Sequence, residues 1–74
     1  MNKQKLEKTF QAKSFSDIAQ KLLKIAAVCD EMDHHPDVYI FKYKYITFSL
    51  VTHSEKKITE KDHLLAKKID QIFD

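Results

Sequence analysis

The stretch PDVYIFKYKYITFSLVTH, residues 36–53, decides the fold. It holds two runs rich in β-branched and aromatic residues, Val38–Phe41 and Tyr45–His53, which predict two β-strands. The polar residues Lys42–Lys44 predict the turn that joins them, although without glycine or asparagine its type is obscure. In the second strand, alternation gives one apolar face and one mixed face. The apolar face carries Ile46, Phe48 and Leu50, and the other carries Tyr45, Thr47, Ser49, Val51 and His53.

A long helix precedes this hairpin. Apolar residues recur at helical spacing from Ser16 to Asp33, and Ser14 and Ser16 are both good N-caps. Pro36 prevents continuation, because its ring disfavours helical geometry at the preceding residue and removes a backbone donor. The helix is therefore predicted to cover Ser16 to Asp33 and to end near His34.

Two further elements complete the chain. Alternation over Leu6–Ala12 predicts a strand before the long helix. Thr59 with Asp62 three residues later is a capping arrangement, and it precedes an apolar stripe that predicts a second helix. The order β-α-β-β-α predicts an α+β fold, an antiparallel sheet with two helices packed on one face.

Composition limits the class of protein. A chain of 74 residues makes a single domain, residues 1–74, with a thin core. Because 43% of the residues are hydrophobic and 32% charged, an ordinary globular domain is indicated. The 13 basic and 11 acidic residues are interspersed, so a direct nucleic-acid partner is not indicated. The absence of glycine excludes glycine-rich phosphate loops.

Cysteine usage and hydropathy suggest a location. The single cysteine, Cys29, cannot form an internal disulfide, which favours a reducing compartment. The first residues are polar and do not form a signal peptide, and no apolar run approaches the roughly 20 residues of a membrane span. We therefore expect a cytoplasmic protein with no membrane partner.

The residues most suited to chemistry lie around a histidine pair. Asp30 precedes His34 by four residues, so a helix that reached that far would let the carboxylate accept the imidazole N–H. A helix C-terminus favours a charged histidine and an adjacent histidine disfavours it, which suits a general acid or base. His53, at the predicted end of a strand, is the second candidate. Two histidines across a cleft could protonate a leaving hydroxyl and remove a proton, which is a dehydration.

Other interpretations remain open. Isolated histidines in small domains are most often surface or satisfied core residues, and His63 on the second helix fits that description. Zinc could be bound by His34, His35 and His53 together with Asp30 or Asp33. However, neighbouring histidines on an extended segment point in opposite directions, so no metal site is predicted. Cys29 lies on the apolar helix stripe and is predicted to be a core residue.

The histidine pair belongs to a more specific pattern. The pattern consists of an acidic residue four positions before His-His-Pro, followed by Thr-His and then by an aspartate nine residues later. In this chain these parts are Asp30, His34–Pro36, Thr52–His53 and Asp62. In this motif, and over nearly its whole length, the chain resembles the pterin-4a-carbinolamine dehydratase family. Members of that family usually carry a further helix and strand before the position of Leu6, so the chain resembles a short member without them.

The resemblance implies a hydro-lyase that converts 4a-hydroxytetrahydropterin to quinonoid dihydropterin. This reaction recycles tetrahydrobiopterin and needs no metal or organic cofactor. His34 and His53 match the acid/base pair, His35 would contact the pterin, Asp30 would support the histidines, and Asp62 matches the terminal acid. The positions that would contact substrate are Asp33, Val51, Thr52 and Ser54.

The resemblance also implies association. Family members form dimers and tetramers, so a homodimer or homotetramer is expected beside the small-molecule pterin partner. Because the family includes a dimerisation cofactor of a homeodomain transcription factor, the alternative function is a non-catalytic binding module of that type.

Overall fold

The computed structural model describes residues 6–51 and 57–74. Within them the chain forms five elements in the predicted order: β1 (Leu6–Gln11), α1 (Phe15–Met32), β2 (Asp37–Phe41), β3 (Tyr45–Leu50) and α2 (Glu60–Phe73). The α+β class predicted from the sequence is confirmed. In the described ranges, neither helix is apolar enough over sufficient length to cross a membrane.

β3 is the central strand of the sheet, whose order is β1-β3-β2 with both pairs antiparallel. In the middle of the register, Phe48 lies opposite Lys8 of β1 and Val38 of β2. Ile46, Phe48 and Leu50 are at most 1% exposed. Alternate side chains of a strand point to the same side, so these three form one buried face, as predicted.

Both helices pack on that face. One cluster joins the three β3 residues to residues from both helices, among them Ile18, Ile25, Cys29, Leu65 and Ile69. On the other side of the sheet, Thr9 and Thr47 hydrogen-bond through their hydroxyls at 2.8 Å in an exposed position. Within the described residues the sheet is therefore covered on one face and open on the other.

The start of α1 agrees with the predicted caps. Ser14 has an extended backbone, and its Oγ accepts a hydrogen bond from the Asp17 N–H at 3.0 Å. The Asp17 carboxylate accepts from the Lys21 ammonium at 2.7 Å and from the Lys13 N–H at 3.1 Å. These bonds, the Lys21 bond foremost, hold the pKa of Asp17 below its ordinary value of 3.8.

The end of α1 is a tight reversal. The last helical residue is Met32, and Asp33 adopts a left-handed backbone with φ 51° and ψ 44°. The Asp33 N–H donates to the Asp30 carbonyl at 3.3 Å, and the His34 N–H donates to the Cys29 carbonyl at 3.0 Å. This pair of bonds is a Schellman motif, which satisfies the last helical carbonyls and turns the chain back over the helix end. α1 therefore ends at Met32, one residue before the approximate predicted bound of Asp33.

The β2–β3 turn lies where it was predicted, and its backbone is unusual. Lys42 and Tyr43 have φ values of 49° and 56°. Two successive positive φ angles match the twist of a hairpin, and they are usually supplied by asparagine or glycine. For other residues each left-handed position costs roughly 1–2 kcal/mol.

The strand bounds differ slightly from the prediction. β1 ends at Gln11 instead of Ala12, and β2 begins one residue earlier than predicted, at Asp37. β3 ends at Leu50, so Val51 lies beyond the strand. The remainder of the predicted strand, Thr52 and His53, lies outside the described residues.

Candidate active site

His34 is the most buried histidine among the described residues, with 9% of its surface exposed. Its position follows from the reversal at Asp33, which returns the chain over the end of α1. The imidazole Nε2 lies 2.7 Å from Oδ1 of Asp62, the third residue of α2. A short contact between side chains therefore links the segment just after α1 to the start of α2.

Asp62 is fully buried, with 0% exposure. One carboxylate oxygen contacts His34, and the other accepts a hydrogen bond from the Thr59 N–H at 2.9 Å. The second contact satisfies one of the backbone donors that a helix start leaves unpaired. The contact with Thr59 caps the start of α2, as predicted from the sequence. The contact with His34 is a separate one, in which the charge of the carboxylate acts on the imidazole.

This geometry selects one form of the His34 ring. A carboxylate accepts hydrogen bonds and cannot donate them, so Nε2 carries the proton in the neutral imidazole. The lone pair then lies on Nδ1, and no described hydrogen bond engages that nitrogen. Because no buried side-chain nitrogen or oxygen of the described residues lacks a partner, Nδ1 reaches the surface. In this arrangement Nδ1 could accept a proton, and the Asp62 carboxylate would stabilise the resulting imidazolium.

His35 forms a separate and looser pair. Its Nε2 lies 3.0 Å from Oδ1 of Asp30, and the two side chains are 56% and 77% exposed. The prediction that Asp30 supports the imidazole of His34 was wrong: α1 stops at Met32, and the left-handed residue Asp33 swings His34 away from the helix face below it. Asp30 supports the second histidine instead.

The other predicted site residues are distributed around this pair. Asp33 is exposed at the helix end, and Val51 is half-buried just beyond β3. Three predicted residues, Thr52, His53 and Ser54, lie outside the described residues, so the convergence of His53 on His34 stays a prediction. Among the described residues, no group of three histidine, cysteine or acidic side chains is arranged to hold a metal ion.

Two residues set aside on sequence grounds lie as predicted. His63 is exposed on α2, and Cys29 is 2% exposed in the core. Burial, with a smaller contribution from the neighbouring charge of Asp30, raises the pKa of the Cys29 thiol above its ordinary 9.0. A thiol that resists ionisation is a poor nucleophile, which agrees with a packing role.

Comparison with known proteins places the chain in a family. A family model described as pterin 4 alpha carbinolamine dehydratase matches residues 1–72. The chain belongs to that family. Its relatives in the pterin 4 alpha carbinolamine dehydratase family include a Sulfolobus acidocaldarius protein, provisionally given that name, which is 48% identical over 68 residues. The match covers 92% of this chain and 74% of the relative. A protein of Herpetosiphon aurantiacus with the same provisional name is 43% identical and covers 92% and 70% of the two chains.

Solved structures agree with the fold. A Brucella melitensis protein described as a transcriptional coactivator/pterin dehydratase superposes with a TM-score of 0.92 at 29% identity, over 99% of this chain and 77% of the other. A pterin dehydratase-like protein described as a RuBisCO assembly factor in the alpha-carboxysome gives a TM-score of 0.79 over 97% of this chain and 82% of its own. At 22% identity, the second likeness concerns the fold alone.

Proposed function

We propose that this member of the pterin 4 alpha carbinolamine dehydratase family catalyses the dehydration of a 4a-hydroxytetrahydropterin to the quinonoid dihydropterin, in a reducing, cytoplasmic setting, as one step of tetrahydrobiopterin recycling. The observation that carries the proposal is the buried pair of His34 and Asp62, joined at 2.7 Å. A histidine oriented by a buried carboxylate is suited to proton transfer near neutral pH. The resemblance of the surrounding motif supplies the substrate class.

The reaction needs two proton transfers and no redox change. The C4a–O bond breaks and the hydroxyl leaves as water after it receives a proton, while a ring nitrogen of the pterin loses a proton as the new double bond forms. His34 is the base, since its Nδ1 holds a lone pair and Asp62 stabilises the charge that the ring acquires. His53 is the acid that protonates the hydroxyl, and exchange with water returns both histidines to their starting forms.

The remaining predicted residues would hold the substrate. His35 and its partner Asp30 are exposed, which suits a contact at the rim of a pocket. Asp33, Val51 and the segment that contains Thr52 and Ser54 would contact the pterin, largely through backbone groups.

The direct test is a coupled assay in which an aromatic amino acid hydroxylase generates the carbinolamine and its dehydration is followed optically. We expect the protein to accelerate this step and His34→Ala to remove roughly 10²–10⁴-fold of the rate, the range for general acid–base groups. His63→Ala is the matched control, because this histidine is exposed on α2. A rate equal to that in buffer, or equal losses in the two variants, would refute the proposal.

A second candidate function is a non-catalytic binding module that acts through self-association. The exposed side of α1 carries an apolar stripe at four-residue spacing, formed by Phe15, Ala19, Leu23 and Ala27. Within it Leu23 is 75% exposed and Phe15 60% exposed, which is unusual for residues of this size on a helix. We propose that this stripe joins copies of the chain into a homodimer or homotetramer.

Sedimentation equilibrium tests the association. We expect a dimer or tetramer that dissociates in Leu23→Lys, and no change in the matched variant Gln20→Lys, which adds the same charge at an exposed position of the same helix. A monomeric parent chain would refute the association. An associating chain without dehydratase activity would favour the binding module over the enzyme.

A further inference from the structure

The β2–β3 hairpin carries a patch of aromatic and lysine side chains that the proposed dehydratase site does not use. We call it the hairpin patch, and it consists of Tyr39, Phe41, Lys42, Tyr43, Lys44 and Tyr45. All three tyrosines of the chain lie in it. Such a concentration of rings in one turn is not needed for the core, which lies on the other face of the sheet.

The rings of the patch are accessible. Tyr39 is 59% exposed, Phe41 44% and Tyr43 63%. Tyr39 pairs with Thr47, and Phe41 pairs with Tyr45, so these side chains share the open face of the sheet. The rings of Phe41 and Tyr45 are stacked at 5.4 Å with an interplanar angle of 17°. This stacked pair lies near the exposed ring of Tyr43, since the Lys44 ammonium contacts the rings of both Tyr43 and Tyr45.

Positive charge accompanies the rings. The Lys44 ammonium lies 5.9 Å from the centre of the Tyr43 ring and 5.8 Å from that of Tyr45, and Lys42 is exposed beside it. The Ala12 N–H donates to the Lys44 carbonyl at 2.7 Å, which places Lys13 next to the turn. The nearest acidic residue on β2 is Asp37, two positions before Tyr39 on the same face, so the positive charge lies at the turn end of the patch. The patch is therefore basic, although the balanced charge of the whole chain conceals this.

We propose that the hairpin patch binds single-stranded nucleic acid. Exposed rings stack on bases whatever their sequence, and lysines beside them neutralise phosphates. An acidic peptide would use the lysines but leave the rings unexplained, whereas a second copy of the chain would bring the same positive charges together. A single strand satisfies both features.

The spacing of the rings also suits a single strand. Tyr39 and Phe41 are two residues apart on one strand, so their attachment points are separated by roughly 6.6 Å. Bases stacked in a duplex are about 3.4 Å apart along each strand. The patch therefore fits bases that have been unstacked from one another, and a duplex cannot offer them.

The experiment uses the full chain and two labelled octanucleotides, oligo-dT and an abasic strand of the same length and charge. Fluorescence anisotropy at low salt measures binding, and tyrosine fluorescence reports on the patch directly, because the chain has no tryptophan and all its tyrosines lie there. We expect binding of oligo-dT with tyrosine quenching, and weaker binding of the abasic strand without quenching. The salt dependence should have a log–log slope of roughly −2 if three lysines contact phosphates.

Paired variants separate stacking from charge. Tyr39→Ala with Phe41→Ala should weaken oligo-dT binding by about fivefold or more for each ring that stacks on a base. Lys42→Ala with Lys44→Ala should reduce the salt slope by about 1.4. The matched controls are Leu64→Ala, an exposed apolar side chain on α2, and Lys24→Ala with Lys67→Ala, two exposed helical lysines.

Three results would overturn the proposal. The first is equal binding of the abasic strand, since charge alone would then suffice. The second is equal loss of affinity in the patch variants and their controls. The third is a change in sedimentation of the ring variant with unaltered oligonucleotide affinity, which would make the patch a contact between copies of the chain.

Discussion

Replacing Asp62 by asparagine should stop catalysis while leaving the protein folded. The carboxylate offers one oxygen to the Nε2–H of His34 and the other to the Thr59 N–H. Asparagine has a single oxygen and an amide group that only donates. If its oxygen faced His34, the amide would face the Thr59 N–H, donor against donor, and a buried donor without a partner costs about 1–3 kcal/mol.

The favoured arrangement turns the oxygen toward Thr59 and the amide toward His34. The amide then donates to Nε2, and the proton of the neutral ring moves to Nδ1. The nitrogen that should accept the substrate proton is thereby blocked. In serine proteases the corresponding loss of the correct tautomer lowers kcat about 10⁴-fold. Because general acid–base groups contribute about 10²–10⁴-fold, we expect a fall in kcat within that range, with KM little changed.

The loss of stability should be modest. Two hydrogen bonds to a charged acceptor, worth about 1.5–3 kcal/mol each, become neutral bonds worth about 0.5–1.5 kcal/mol each. The free energy of unfolding should therefore fall by roughly 1–3 kcal/mol. Native proteins have free energies of unfolding of about 5–15 kcal/mol, so a small domain near the lower end of that range would remain folded. Urea unfolding measures this change directly.

The matched control is Asp70→Asn on the same helix. Asp70 holds Lys8 at 2.8 Å in a partly exposed ion pair, which contributes about 0.2–1 kcal/mol. We expect it to retain the parent kcat in the coupled dehydration assay. The reasoning fails if folded Asp62→Asn keeps a kcat within about threefold of the parent, since a general base cannot work from the wrong tautomer at nearly full rate.

Three further predictions concern stability. Tyr43→Gly should raise the free energy of unfolding by about 0.5–1 kcal/mol, because relief of the left-handed backbone, worth roughly 1–2 kcal/mol, exceeds the extra entropy that glycine loses on folding, roughly 0.5–1 kcal/mol; a lower urea midpoint would contradict this. Burial raises the pKa of the Cys29 thiol in the folded chain, so the stability that comes from keeping the thiol protonated is complete below pH 9.0 and is lost at higher pH. In a pH series of unfolding curves, Cys29→Ala should therefore lose less stability at alkaline pH than the parent chain. Because the pKa of Asp17 is lowered in the folded chain, its carboxylate contributes stability above pH 3.8 that is lost as the pH falls. The free energy of unfolding of Asp17→Asn should therefore decrease less steeply at acid pH than that of the parent chain.

The fold could be predicted because its local signals agree. Alternation in β3 can bury only one set of side chains, and Ile46, Phe48 and Leu50 were the only set apolar throughout. Caps and helical spacing located α1 to within one residue at each end and placed the start of α2 at the Thr59 cap. The two left-handed residues in the β2–β3 turn could not be foreseen, since neither lysine nor tyrosine indicates such a backbone. Sequence predicted a turn there without its type.

The candidate site was predicted only in part, because its central contact joins distant residues. His34 and Asp62 are 28 positions apart, and their contact exists only once α2 packs beside the end of α1. The local rule that placed Asp30 below His34 assumed an unbroken helix, which the left-handed Asp33 prevents. The sequence predicted Asp62 to be a supporting residue from the motif alone, and its capping pattern did not indicate that the carboxylate would contact His34.

The burial of Asp62 itself argues for a functional site. Removing a carboxylate from water is costly, and replacing a buried ion pair by apolar residues of similar volume often leaves a protein as stable or makes it more so. A helix start can be capped by an exposed serine, as Ser14 does for α1, without burying any charge. A 74-residue chain with a thin core has little stability to lose. Helix capping alone therefore does not explain why Asp62 is fully buried against His34, and the proposed proton transfer would explain it.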